Sequence, residues 1–212
     1  MLKYVLATVS LLALAAPGNA ALIASFSQNP SATPTVTAID DGTTTNISIS
    51  NASTTITAGN GAVLGTSLFS LNANSVDPAT TIATAVIQHY AGTFCFTSLN
   101  GCTGINYLSG TFSDAAFGGL GGPGLNVNVN NPPDVLTMTS DLIPADQLAA
   151  PNTFGLTFAN LTPLLHINGT TIAGFTADYS GTVSSSAAVP EPASLAVLGM
   201  GLLGLGMIRR KA

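Results

Sequence analysis

Asn46-Ile47-Ser48-Ile49-Ser50 alternates polar and apolar side chains residue by residue, the period of a β-strand with one buried and one wet face. Short runs bounded by turn residues lie on both sides of it. Upstream, Thr35-Val36-Thr37-Ala38-Ile39 runs into the turn sequence Asp40-Asp41-Gly42, and downstream residues 54–58 run into Gly59-Asn60-Gly61 before a further run at 62–71. Leu136 and Met138 alternate with Thr137 and Thr139 in the same way. Further short runs at 92–97, 105–112, 125–129, 154–158 and 171–183 are rich in Thr, Ile, Val and Phe and are separated by turn residues. Together they predict an all-β body, an antiparallel two-sheet β-sandwich of jelly-roll type with about eight to eleven strands. Residues 76–90 fit two states, because Asp77-Pro78 suits a helix start while the Thr, Ile and Val that follow favour a strand. No internal repeat is visible, which argues against a solenoid or propeller.

The 212 residues are 46% hydrophobic and 6% charged, enough apolar mass for one packed domain and too little charge for a disordered chain. The basic residues are Lys3, Arg209, Arg210 and Lys211, so no Lys or Arg occurs between Tyr4 and Ile208. A body without cations cannot clamp phosphates or release counterions from a nucleic-acid backbone, which excludes DNA, RNA, nucleotides and anionic headgroups as expected ligands. The charges inside the body are Asp40, Asp41, Asp77, Asp114, Asp134, Asp141, Asp146 and Asp178. They read as turn formers whose carboxylates bond nearby backbone, which leaves Thr, Ser and Asn to supply the wet faces.

The ends read as addresses. Residues 1–20 combine Lys3, an apolar stretch and the small residues Gly18 and Ala20, the arrangement of a secretory signal peptide cleaved after Ala20. Residues 21–183 then form the body and residues 184–188 a small-residue linker. The tail, 189–212, opens with Val189-Pro190-Glu191-Pro192, continues as an uncharged stretch at 193–208 and ends on the basic Arg209-Arg210-Lys211. As a helix, 193–208 is roughly 24 Å long against a hydrocarbon core of ~30 Å. Pro192 suits the first helical turn, the basic triplet opposes the negative helix end and holds it in the cytoplasm, and no polar face remains. The expectation is a transmembrane helix that anchors the chain through its C-terminus.

That order of Pro-Glu-Pro, apolar helix and terminal basic residues resembles the PEP-CTERM sorting signal. The resemblance is confined to the tail. It implies a Gram-negative bacterium that makes exopolysaccharide, and processing by an exosortase, an integral-membrane cysteine protease of transpeptidase type. By that route the chain is exported, held transiently in the membrane and delivered to the cell surface or extracellular matrix. Pro190 and Pro192 keep Glu191 in an extended backbone that a protease can grip.

Within the body, Cys95 and Cys102 flank Asn100-Gly101, and in an exported chain such a pair is expected to be a disulfide stapling a hairpin. A zinc or thiol-catalytic site lacks partners, since His89 and His166 are the only histidines. A secreted hydrolase would need one of those histidines with an Asp and a Ser, yet no Gly-x-Ser-x-Gly occurs. Gly119-Leu120-Gly121-Gly122-Pro123-Gly124 matches a dinucleotide fingerprint in letters only, because Pro123 and the strand-like residues after it leave no helix N-terminus. For glycan binding the candidates are Tyr90, Tyr107 and Tyr179, with Asn126, Asn128 and Asn130 on one strand face. Calcium at Asp40 and Asp41 is the one metal left open, although neither residue begins a recognisable loop pattern, and otherwise no cofactor and no metal is expected. The expectation overall is a noncatalytic surface or matrix protein associating with exopolysaccharide. The alternatives are a secreted hydrolase with a His/Asp/Ser site and a self-assembling structural spacer.

Overall fold

A computed structural model describes residues 20–30, 35–131, 134–149 and 151–186. Ala21–Ser185 forms one compact unit. The signal peptide and sorting tail expected at 1–20 and 189–212, including the helix 193–208, lie outside the described residues, except that Ala20 opens the first strand. The described residues form thirteen strands. They are β1 (Ala20–Gln28), β2 (Val36–Asp40), β3 (Thr45–Ala58), β4 (Val63–Ser75), β5 (Thr80–Ile82), β6 (Ala85–Leu99), β7 (Thr103–Gly119), β8 (Leu125–Asn131), β9 (Val135–Thr139), β10 (Asn152–Thr162), β11 (Ile167–Asn168), β12 (Thr171–Ile172) and β13 (Phe175–Ser186).

The expected two-sheet sandwich is corrected to a closed barrel. β3 pairs with β4, β4 with β6, β6 with β7, β7 with β8 and β9, β8 with β10, and β10 with β13. β13 then pairs with β1 and β2, both of which pair with β3, and the circle is complete. β1 and β2 lie end to end along β3, with Gln28 opposite Thr54 and Val36 opposite Ile49. β8 and β9 share one place along β7, with Ala116 opposite Asn128 and Ser113 opposite Val135. With each such pair taken as one, the barrel has eight strands. Alternation records that one face of a strand is buried, but it is the same whether a sheet packs on a second sheet or closes on itself. What decides is the pairing of the first strands with the last, which no local pattern records. The stretch 76–90 resolves as strand, containing β5 and the start of β6.

Closure needs strands that bend, and the long ones carry register shifts where an extra residue sharpens the twist. They fall between Ile49 and Ala52 in β3, between Phe112 and Ala115 in β7, and between Ala159 and Thr162 in β10. The inward face is filled with aromatic rings. Phe69 stacks on Phe96 with centroids 4.2 Å apart, Phe94 on Phe154 at 4.4 Å, and Phe26 lies 4.6 Å from Phe96. Toward the other end Tyr90 packs on Phe117 at 4.1 Å. A Cβ at Gly181 would sit 2.4 Å from the Phe26 ring, so this position accepts no side chain.

Each end is covered by a connection. At one end the β11–β12 hairpin is held by Gln88, whose Oε1 accepts from the Ile172 N–H (3.1 Å) and the Tyr90 hydroxyl (2.9 Å), while Thr45 donates to the Ile172 carbonyl at 2.6 Å. At the other, residues 140–149 place Ile143 and Leu148 over the core, and Asn152 Nδ2 donates to the Leu148 carbonyl at 2.8 Å. The Cys95–Cys102 disulfide is present and staples the β6–β7 hairpin across Asn100-Gly101, where closure of so short a loop contributes about 2 to 3 kcal/mol. Outward positions are dominated by Thr, Ser and Asn, as along β8, where Asn126, Asn128 and Asn130 are exposed and Leu125, Val127 and Val129 are buried.

Phe96→Ala is expected to lower the unfolding free energy by about 3 to 5 kcal/mol. Ser180→Ala, on an outward position, should change it by less than about 0.5 kcal/mol. Urea unfolding of the two variants checks the assignment of inside and outside, and equal losses would contradict it.

Candidate functional site

The register aligns polar side chains across the outside of the barrel. Thr37 stands opposite Ser48, Ser48 opposite Asn72, Asn72 opposite Thr93, Thr93 opposite Thr111 and Thr111 opposite Thr137. A hydroxyl or amide thus recurs at every strand, about 4.8 Å apart. A second row, one pleat along, runs Ser70, Cys95, Ser109, Thr139. Hydroxyls within these rows couple sideways. Thr111 Oγ1 and Thr137 Oγ1 are 2.7 Å apart, and Ser109 Oγ and Thr139 Oγ1 are 3.0 Å apart.

The β3 bulge shapes the margin of this face. Asn51, held at a positive φ of 49°, donates its N–H to Ser70 Oγ at 3.0 Å and accepts the Gly101 N–H on its Oδ1 at 2.9 Å. The disulfide-stapled turn is thereby tied to β3. Between the turn and β9 lies a groove of about 770 Å³ lined by the polar rows, by Cys95 and Cys102, and by the intervening backbone. Its lining residues are Ser, Thr, Asn, Gly, Cys and apolar residues, with no charged side chain among them.

The residues singled out from the sequence are not gathered here. Tyr90, expected on a binding face, is fully buried against Phe117, because its position in β6 points inward. Tyr179 is buried too, its hydroxyl paired with that of Thr54, and burial pushes its phenol up to about 12. Tyr107 is half-buried, its ring beside Gly65. Asn126, Asn128 and Asn130 do share one exposed face, on β8, where Thr157 donates to Asn126 Oδ1 at 3.0 Å and Thr153 to Asn130 Oδ1 at 3.2 Å. The alternation around Ser48 and around Thr137 is visible in the sequence. The row itself exists only through register.

Asp40, Asp41 and Asp134 bond nearby backbone as turn formers, whereas Asp77, Asp141 and Asp178 bond groups distant in sequence. Asp41 accepts from the Thr43 and Thr44 N–H groups at 2.9 and 2.7 Å. Bonds from Thr44 and Thr43, the Thr44 N–H foremost, hold its carboxyl well below the usual carboxylate range. Asp40 is lowered chiefly by the Thr171 hydroxyl, 2.7 Å from Oδ1, and then by the Gly42 N–H. Its Oδ2 accepts from Asn168 Nδ2 at 2.8 Å, so a cation there would compete with donors already in place. Among the described residues no three His, Cys, Asp or Glu side chains group as metal ligands.

His89 Nδ1 lies 2.6 Å from Asp77 Oδ2, and the His89 N–H donates to Asp77 Oδ1 at 2.9 Å. The hydrogen bond to Asp77 is the main cause that raises the imidazole pKa. No hydroxyl bonds His89 among the described residues. His166 is exposed, its Nδ1 2.8 Å from the Leu164 carbonyl oxygen.

Residues 188–211 match the family model for the PEP-CTERM protein-sorting motif. The resemblance seen in Val189-Pro190-Glu191-Pro192 and Arg209-Arg210-Lys211 stands. The motif implies export, transient membrane anchoring through the C-terminal segment and processing by an exosortase-type enzyme. No curated protein and no solved structure matches the chain.

The His89–Asp77 pair gives the body a pH signature. The folded-state pKa of His89 is raised above the ordinary 6.5, so its stabilising contribution is complete below that value and is lost as pH rises through the raised one. Thermal melts across this window should show the loss in the native protein and its absence in Asp77→Asn. The same slope in both would remove Asp77 as the cause.

Proposed function

We propose that the protein is a noncatalytic component of the cell surface or extracellular matrix of a Gram-negative bacterium, and that its body associates with exopolysaccharide. The sorting motif at 188–211 carries this reading. The body supports it in two ways. It has no Lys or Arg between Tyr4 and Ile208, which argues against nucleic acid and anionic lipid as partners, and its outward faces offer hydroxyls and amides, which exchange hydrogen bonds with sugars as readily as with water.

A secreted hydrolase is the second reading, and the His89–Asp77 contact is what favours it. Such an enzyme also needs a nucleophile at the other ring nitrogen. A hydroxyl-directed phosphonate probe that labels the native chain and spares His89→Gln would establish the hydrolase over the noncatalytic reading.

Replacement of Pro190, Glu191 and Pro192 by Ala should leave the chain unprocessed in the membrane fraction. The native chain should appear at its shorter mature mass in the matrix fraction and be released when the exopolysaccharide is digested. Unchanged mass and location in the variant would overturn the sorting route, and retention of the native chain after digestion would replace polysaccharide association by self-assembly.

A further inference from the structure

We propose that the outward groove across β3, β4, β6, β7 and β9 is the binding site for an uncharged polysaccharide chain, laid across the strands along the row Ser48, Asn72, Thr93, Thr111 and Thr137. The inference deepens the reading given under Proposed function and rests on it.

Three observations define the occupant. The first is charge: no charged side chain lines the groove, and the nearest Lys or Arg in sequence lies outside the body altogether. An acidic polymer would therefore meet no counter-charge on entering, and the aspartates elsewhere on the body would repel it. The second is periodicity. Polar side chains stand directly opposite one another on successive strands, so donors and acceptors recur at about the strand spacing of 4.8 Å, close to the length of one sugar unit in an extended chain. Each Thr also offers a methyl group beside its hydroxyl, which suits the mixed polar and apolar face of a pyranose. The third is pairing: β3, β4, β6 and β7 are paired on both sides, so an extended peptide could join only along the outer edge of β9, which pairs with β7 alone, and not across the row.

The groove is also held in shape before any ligand arrives. The Asn51 bonds to Ser70 and Gly101 and the Cys95–Cys102 disulfide fix its margin. The lateral Thr111–Thr137 bond orients two of the hydroxyls. Such preorganisation lowers the ordering cost of binding, and repeated weak contacts along one chain make affinity rise with chain length.

The test uses the full chain in mild detergent and the host's own exopolysaccharide, separated by anion exchange into neutral and acidic fractions and cut to graded lengths. The native chain should bind the neutral fraction saturably, more tightly as length increases. Thr93→Lys and Thr111→Val should each weaken that binding by at least about tenfold, with unchanged melting temperatures. Ser180→Lys, on an outward face away from the groove, should leave it unchanged. Preference for the acidic fraction would overturn the proposed ligand class. Binding of the neutral fraction that survives both groove substitutions would overturn the site while leaving exopolysaccharide association intact. Binding of neither fraction would overturn both.

Discussion

The pairing of β13 with β1 and β2 is the contact on which the rest of the molecule depends. Without it the sheet would be open, and β13 on one side and β1 and β2 on the other would present unpaired amides and carbonyls. Proteins with open sheets guard such edges with lysines or other charges. This body has no Lys or Arg at all between its ends, so an open sheet of the same strands would be a template for association. Closure removes the long edges instead of guarding them, leaving only the short strands β5 and β9 of this sheet paired on one side, and that permits an exterior built almost wholly of Ser, Thr and Asn.

Closure also fixes register, and register creates the outer surface. In β3 and β4 the pleat sends Ile47, Ile49, Leu71 and Ala73 inward and Ser48 and Asn72 outward. A slip of one residue would exchange these sets, exposing the apolar row and burying hydroxyls without partners. The aromatic rings inside enforce the choice, because Phe69, Phe94, Phe96 and Phe154 interlock only in one register. The ladder of outward hydroxyls is thus a consequence of core packing as much as of any selection at the surface. The bulge at Asn51 adds a local departure at the margin of that polar face.

Much of this was legible beforehand and some of it was not. The strands around Ile47 and Ile49 and around Leu136 and Met138 declared themselves through alternation, and Cys95 and Cys102 declared their bond through an intervening Asn-Gly in an exported chain. The sorting motif was readable because its features occur in a fixed order within one short stretch. Barrel closure was not readable, because it joins Thr37 to Thr176, positions distant in the chain with nothing local to mark them. Tyr90 was misplaced for a related reason. An aromatic with a polar tip fits a binding face or a core equally well, and only its parity in β6 and the buried Gln88 beside it decide for the core. The pairing of His89 with Asp77 needed the return of β6 past the 76–79 segment, again a matter of tertiary placement.

The most direct test of the closed barrel is amide hydrogen exchange, resolved by residue, along β3, β7, β10 and β13. With every one of these strands flanked on both sides, inward and outward amides alike should be protected throughout the paired stretches. A strand in which every second amide exchanges freely would be an open edge, and would contradict closure.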